Sequence, residues 1–228
     1  MVKLPTSKLG RASLAVGCVA LAAAIGAAAV YSLYKPADPG IDSARIPQIR
    51  QSFPDGFEFR EGQRTVNLAT IESMNKPPEG QVRPVACAAQ QAEGNDILLG
   101  ATVHGVNAYG HGLLYVISAQ DLPPTSKPHQ NAPVDCSYTN TTFPDGYAIT
   151  TPAESPDVSG LKVEGFHTVT KRSGTVTDTY QYKTWIDGHH AVTLIVNSDP
   201  AANPPSNPVD PTLAKQLFAE SVALVRGR

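Results

Sequence analysis

The histidines are the residues of this chain best suited to acid–base or metal chemistry, because imidazole titrates near neutral pH and binds metals. His104 and His111 flank a predicted hairpin turn and could face one another across it, but the spacing offers no third metal ligand. His189 and His190 follow the turn at Asp187-Gly188, and neighbouring residues of a strand end point to opposite faces. We interpret His104 and His111 as polar residues at strand ends, and His189 and His190 as solvated turn residues. We predict no catalytic residue, no metal and no cofactor.

The chain also lacks the short motifs that accompany common enzyme chemistry. It contains no Gly-x-Ser-x-Gly nucleophile turn, no His-Glu-x-x-His zinc motif and no glycine-rich phosphate loop after a strand. We therefore predict that the protein is not an enzyme.

Trp185 is the side chain that we consider as a ligand contact. It shares one predicted strand with Tyr180 and Tyr182, and alternation sends it to the face opposite the tyrosines. If the tyrosines face the core, the indole ring is left on the other face, where it could touch a ligand. The alternative is a partly buried packing residue that a loop covers.

Two of the three cysteines are expected to form a disulfide. Cys18 lies inside an apolar run, which leaves Cys87 and Cys136 as the pair in the remainder of the chain. Neither has a second cysteine nearby, as a redox motif would require, and an oxidising compartment favours their joining. We predict this bridge, which in the chain-entropy picture stabilises the fold by about 4 kcal/mol.

An uncharged segment near the N-terminus predicts a membrane anchor. Residues 12–34 carry no charge and are rich in Ala, Val, Leu and Ile. A helix of this length can span the hydrocarbon core of a bilayer. Lys3, Lys8 and Arg11 precede this run, so the positive-inside rule keeps residues 1–11 in the cytoplasm. The remainder of the chain is then displayed on the extracytoplasmic side of the cell membrane.

Two other interpretations of this segment stay open. Ala27-Ala28-Ala29 could serve as a small-residue cleavage site, and cleavage after Ala29 would release a secreted domain. Lipidation at Cys18 would instead make the protein a lipoprotein, although the apolar run continues past that cysteine.

The charge pattern excludes some partners. The formal net charge is −2 and the basic residues are scattered singly, so no basic patch for nucleic acid or anionic lipid is present. The expected partners are the lipid bilayer through residues 12–34 and an envelope ligand or a membrane protein.

Beyond the anchor, the patterns predict one α+β domain. Residues 35–41 form a tether, and residues 42–228 are enough for one buried core. An apolar stripe over 41–52 predicts a short helix, and an amphipathic helix begins with Asp210 as its N-cap and ends near Val225. Because strand patterns fill the chain between them, we expect an antiparallel sheet with helices packed on one face.

Apolar alternation locates the predicted strands. It predicts a strand from Ile97 to Val103 followed by a hairpin turn at 107–110, and an antiparallel meander over 161–198.

The register at the end of this meander follows from keeping its apolar residues on one face. A two-residue turn would split them, whereas a three-residue loop at Asp187-Gly188-His189 pairs Ile186 with His190 and Tyr182 with Leu194. We therefore predict the three-residue loop.

With these elements placed, the chain resembles a group of mycobacterial envelope proteins similar to the extracellular sensor domain of the membrane serine/threonine kinase PknH. The matching stretches are residues 84–89, 175–187 and 213–227. Such sensor domains typically carry two disulfides, whereas this chain has one cysteine pair, and only about eleven residues precede the anchor in place of a kinase.

The resemblance implies a non-enzymatic, membrane-anchored binding or sensor-like domain of the cell envelope. The alternative is an accessory subunit of a membrane or envelope-transport complex.

Overall fold

The computed structural model describes residues 40–76, 80–126, 135–199 and 208–227. The predicted anchor at 12–34, the cleavage after Ala29, the lipidation at Cys18 and most of the predicted tether lie outside these ranges. No helix within the described ranges is long and apolar enough to cross a membrane.

One open antiparallel sheet organises the described residues. Its strands are β1 (Glu58–Thr65), β2 (Gln81–Arg83), β3 (Thr102–Gly110), β4 (Leu113–Asp121), β5 (Thr139–Phe143), β6 (Gly146–Pro152), β7 (Val163–Arg172), β8 (Thr175–Trp185) and β9 (His190–Ser198). The helices are a 3₁₀ helix (Ser43–Ser52), α1 (Leu68–Met74), α2 (Val85–Asp96) and α3 (Pro211–Val225). The strand order is β1-β3-β4-β9-β8-β7-β6-β5-β2, so β1 and β2 are the edge strands.

The first face of the sheet carries the main core beneath the 3₁₀ helix and α3, the two helices that the sequence predicts. The Asp210 side chain accepts a hydrogen bond from the backbone N–H of Thr212 at 2.8 Å, and Pro211 occupies the first helical turn. The apolar stripe of α3, which includes Leu217, is fully buried against the sheet. The strands contribute Val106, Tyr115, Ile117, Tyr182, Val192, Leu194 and Val196 to this core.

The second face is also covered, which corrects the prediction that helices pack on one face only. α1 buries Ile71 and the turn after α2 buries Leu98, and both join a smaller apolar cluster with Val103 of β3. The buried positions of α2 include Gln90 and Asn95. Because part of its inward side is polar, α2 lacks the apolar periodicity that would have predicted it.

The boundaries predicted around β3 were wrong. The alternation from Ile97 to Val103 is partly a turn, and the strand begins only at Thr102. The predicted turn at 107–110 lies inside the strand, and the chain reverses at His111 and Gly112 instead. Both have positive φ angles, of 53° and 72°, as a two-residue hairpin turn that follows the sheet twist requires.

The register at the β8–β9 hairpin is confirmed. Tyr182 pairs with Leu194, and the backbone N–H of Ile186 donates to the carbonyl of His190 at 2.8 Å across the three-residue loop. Tyr182 therefore lies in the main core, while Trp185 packs against the cluster on the second face.

The disulfide between Cys87 and Cys136 is also confirmed, with the two Cα atoms 5.7 Å apart. It joins the first turn of α2 to the segment that precedes β5.

Candidate functional site

Polar side chains from five parts of the fold meet at one end of the sheet. Asp121 ends β4 and lies directly opposite His190, the first residue of β9. Asp121 also pairs with Thr102 of β3, and His104 lies two residues further along β3 on the same face of the sheet. Ser43 begins the 3₁₀ helix above them, and Asp187 lies in the β8–β9 loop. We call these five residues the His190 cluster.

Hydrogen bonds and close histidine–carboxylate contacts connect the members of this cluster. Both carboxylate oxygens of Asp187 lie 3.0 Å from His190 Nδ1. Asp187 Oδ1 also accepts hydrogen bonds from the backbone N–H groups of His189 and His190, at 2.7 and 2.8 Å. On the other side of the ring, His190 Nε2 lies 3.8 Å from Asp121 Oδ1. Ser43 Oγ donates to the same Asp121 oxygen, and His104 Nε2 lies 3.8 Å from Oδ2.

The electrostatics of the cluster favour a protonated His190. Its hydrogen bond to Asp187 raises the pKa of the imidazole more than burial lowers it, and the charges of Asp187 and Asp121 add to the rise. For Asp187, burial alone would raise the carboxyl pKa, but hydrogen bonds from the His190 side chain and from two backbone N–H groups outweigh it and lower the pKa.

This geometry can bind and release a proton, but it does not form a catalytic triad. Ser43 Oγ donates to a carboxylate instead of an imidazole, and the residue is only 2% exposed. Both nitrogens of His190 face carboxylates, so the ring is stabilised as a cation and is a poor general base. Within the described residues, no group of three His, Cys, Asp or Glu side chains could hold a metal ion.

The structure separates the histidines that the sequence suggested as a facing pair. His104 belongs to the His190 cluster, whereas His111 lies in the β3–β4 turn, with Nε2 3.1 Å from the carbonyl of Asp55 and its ring edge-on to Phe57. The prediction that they could face one another was therefore wrong.

The acidic members and the serine of the cluster were not predicted from the sequence. His190 itself was predicted as a solvated turn residue, which is wrong because its side chain is only 15% exposed. The spacing of Asp187 and His190, three residues apart around a turn, was a usable local signal. Asp121 and Ser43 gave none, because only the sheet order and the packing of the 3₁₀ helix bring them to His190.

Trp185, the candidate contact residue, lies beside a buried lysine. Lys183 is 6% exposed, and its Nζ lies 5.0 Å from the centroid of the indole ring. Glu164 is its direct partner on β7. Burial lowers the pKa of Lys183 to about 8 and raises that of Glu164 to about 7, and each charge partly offsets the other's shift.

A shallow groove of about 560 Å³ lies at the β2 edge of the sheet, along β2 and the start of α2. Four apolar side chains and three polar or glycine residues line this edge groove, and Val85 is 77% exposed within it. The disulfide at Cys87 holds its α2 wall to the chain before β5. The lining residues are Gly80, Gln81, Val82, Arg83, Pro84, Val85 and Ala88.

The fold places the chain among α+β domains built on one open antiparallel sheet with helices on both faces. More specifically, it belongs to the family described as a domain of unknown function, DUF5642, which matches residues 42–226. A search of curated proteins found no match.

The crystal structure of an uncharacterised Mycobacterium smegmatis protein, described as the Rv0999 ortholog, has a similar fold. It is 20% identical in sequence, with a TM-score of 0.64, and the match covers 82% of this chain and 98% of that one.

Proposed function

We propose that the protein is a non-enzymatic binding domain of the cell envelope, anchored by residues 12–34 and displayed on the extracytoplasmic side. It takes an extended, apolar segment of a partner protein in the edge groove. The Cys87–Cys136 disulfide supports an oxidising location, and the basic residues before the uncharged run support this orientation.

The edge groove is the observation that carries the binding proposal. Its volume falls within the range of ligand sites, and its lining is mainly apolar. Because β2 is the last strand of the sheet among the described residues, its outer side presents backbone groups that can pair with another chain. Free strand edges next to apolar side chains are what proteins use to bind extended peptides by strand addition.

The chemistry of the His190 cluster supports a non-enzymatic role. Its serine is buried, and its imidazole is held between two carboxylates. A nucleophile must reach a substrate and needs a neutral base beside it, and this arrangement favours neither condition.

The same groove would serve the alternative function, an accessory subunit of a membrane complex. In that case the bound segment belongs to a permanent membrane partner instead of a transient one. The two differ in stoichiometry, since an accessory subunit co-purifies one-to-one with its partner in mild detergent.

The proposal is tested with a library of random twelve-residue peptides, panned against the full chain in mild detergent. Selected peptides are expected to alternate apolar and polar residues, as a strand on a half-apolar surface does. Val85→Asp should weaken binding of a selected synthetic peptide at least tenfold, measured by titration calorimetry. Aspartate suits the first turn of a helix, so this variant should fold.

Val176→Asp is the matched control, because Val176 is also an exposed valine, at 53%, but lies on β8 outside the groove. It should change the affinity less than twofold. Equal effects of the two variants, or retention of a lipid instead of any peptide binding, would count against the proposal.

A further inference from the structure

The His190 cluster lies at the point where the chain enters the domain. Ser43 is two residues beyond the predicted tether at 35–41, and the backbone N–H of Asp42 donates to the carbonyl of Val225 at the end of α3. The hydrogen bond from Ser43 to Asp121 therefore links the domain's first residues to the end of the central sheet.

We propose that the His190 cluster is a proton-operated clasp that fixes this entry segment, Gly40–Ala44, to the sheet when His190 is protonated and loosens it when His190 is neutral. The clasp goes beyond peptide binding, because it lies away from the edge groove and would change how firmly the entry segment is held on the sheet.

The charge balance of the cluster explains how it would act. With His190 neutral, Asp121 and Asp187 are two partly buried carboxylates with no cation between them. A proton on His190 places a positive charge 3.0 Å from Asp187 and 3.8 Å from Asp121. Asp121 then stays fixed in the position in which it accepts the Ser43 hydroxyl.

No lysine or arginine side chain of the described residues can replace this proton. No lysine or arginine of the described residues lies within 4 Å of either carboxylate, as all the ion pairs of Asp121 and Asp187 are with histidines. Arg45 in the 3₁₀ helix pairs with Asp42. Arg226, at the end of α3, donates to the carbonyl of Ser159. His104 on β3 is the remaining titratable group, and it faces the other Asp121 oxygen.

The sign of the pH response follows from the pKa of His190, which is raised above its ordinary value of 6.5 in the folded protein. The stabilisation is fully present below that ordinary value and is lost as the pH rises through the folded pKa. The lowered pKa of Asp187 sets an acid limit, because the clasp also weakens when that carboxylate takes a proton. The clasp is therefore closed in mild acid and loosens on the alkaline side.

The test uses the full chain in lipid nanodiscs with ¹³C-labelled histidine and ¹⁵N-labelled alanine. The Cε1 signal of His190 reports its own titration, and the amide signal of Ala44, which donates to Asp42, reports the entry segment. Both should titrate with one shared midpoint above the ordinary histidine value. Asp187→Asn, which keeps an acceptor for the backbone N–H groups, should move this midpoint down.

Two variants separate the clasp from a structural role. Ser43→Ala should leave the His190 midpoint almost unchanged but abolish the response of Ala44. His190→Gln should abolish that response, whereas His167→Gln, which removes a comparable histidine–aspartate pair with Asp178, should not. An Ala44 response that survives in Ser43→Ala or His190→Gln, that follows His104, or that is absent from the parent chain would overturn the proposal.

Discussion

Lys183 is expected to destabilise the folded protein at neutral pH, and replacing it with methionine tests this directly. The side chain is 6% exposed on β8, and its Nζ lies 5.0 Å from the centroid of the Trp185 ring. Glu164 faces it from β7 and attracts it only at longer range. Methionine has a similar volume and no charge to desolvate, so Lys183→Met should raise the free energy of unfolding at pH 7.

The magnitude follows from the pKa of the lysine. Burial lowers it from 10.5 to about 8, and a tenfold change in proton affinity is worth about 1.4 kcal/mol, so charging Lys183 in the folded state costs roughly 3 kcal/mol. This cost already includes the attraction to Glu164, which raises the lysine pKa. Repacking around a side chain of similar volume costs up to about 1.5 kcal/mol, so the expected net gain is about 1–3 kcal/mol.

The pH dependence gives a second signature. Lys183 has a lower pKa in the folded than in the unfolded state. Its stabilising contribution is therefore fully present above the unfolded pKa and is lost as the pH falls through about 8. The parent domain should therefore become more stable between pH 8 and 9.5, and Lys183→Met should remove this rise.

Urea denaturation of residues 40–228 at pH 7, 8 and 9.5 provides the measurement. Lys171→Met, at an exposed position on β7, is the matched control and should change stability by less than about 0.5 kcal/mol. The reasoning is refuted if Lys183→Met lowers stability at pH 7 by more than 1 kcal/mol, or if the alkaline rise persists without the lysine.

Three further predictions concern the scaffold. Leu217→Ala should lower the free energy of unfolding in urea by about 2–5 kcal/mol, since Leu217 is fully buried in the main core. Leu68→Ala, at a 60% exposed site, should lower it little. Equal losses would contradict the core assignment. Replacing Cys87 and Cys136 together by alanine should cost about 2–4 kcal/mol for a loop of 49 residues, and an unchanged midpoint would show that the bridge adds nothing. Asp210→Ala should lower the free energy of unfolding by about 1 kcal/mol, because α3 loses its N-cap. An unchanged free energy of unfolding would show that the cap does not stabilise the domain.

The parts of the fold that follow from local signals could be predicted. Asp210 and Pro211 define the start of α3, and the even spacing of the apolar residues determines the β8–β9 register. α2 could not be predicted because its buried side includes Gln90 and Asn95. It packs against β2 and α1, so its burial depends on tertiary structure and not on an apolar pattern.

The candidate sites, too, could be predicted only where the signal is local in the sequence. The sequence placed His190 at a strand end, but its partner Asp121 is far away in the chain and meets it only through the order β3-β4-β9. Ser43, which donates to Asp121, joins them only through the packing of the 3₁₀ helix. The edge groove likewise depends on β2, a strand of three residues that is too short to show alternation.

The most direct test of the binding proposal is photo-crosslinking in intact cells that produce the full chain. A photoreactive amino acid replaces Val85 in the edge groove or, as a control, Val176 on β8. We expect one predominant crosslinked protein from position 85 and none from position 176. Crosslinking to lipid alone at position 85, or the same products from both positions, would contradict the proposal that the groove binds a partner protein.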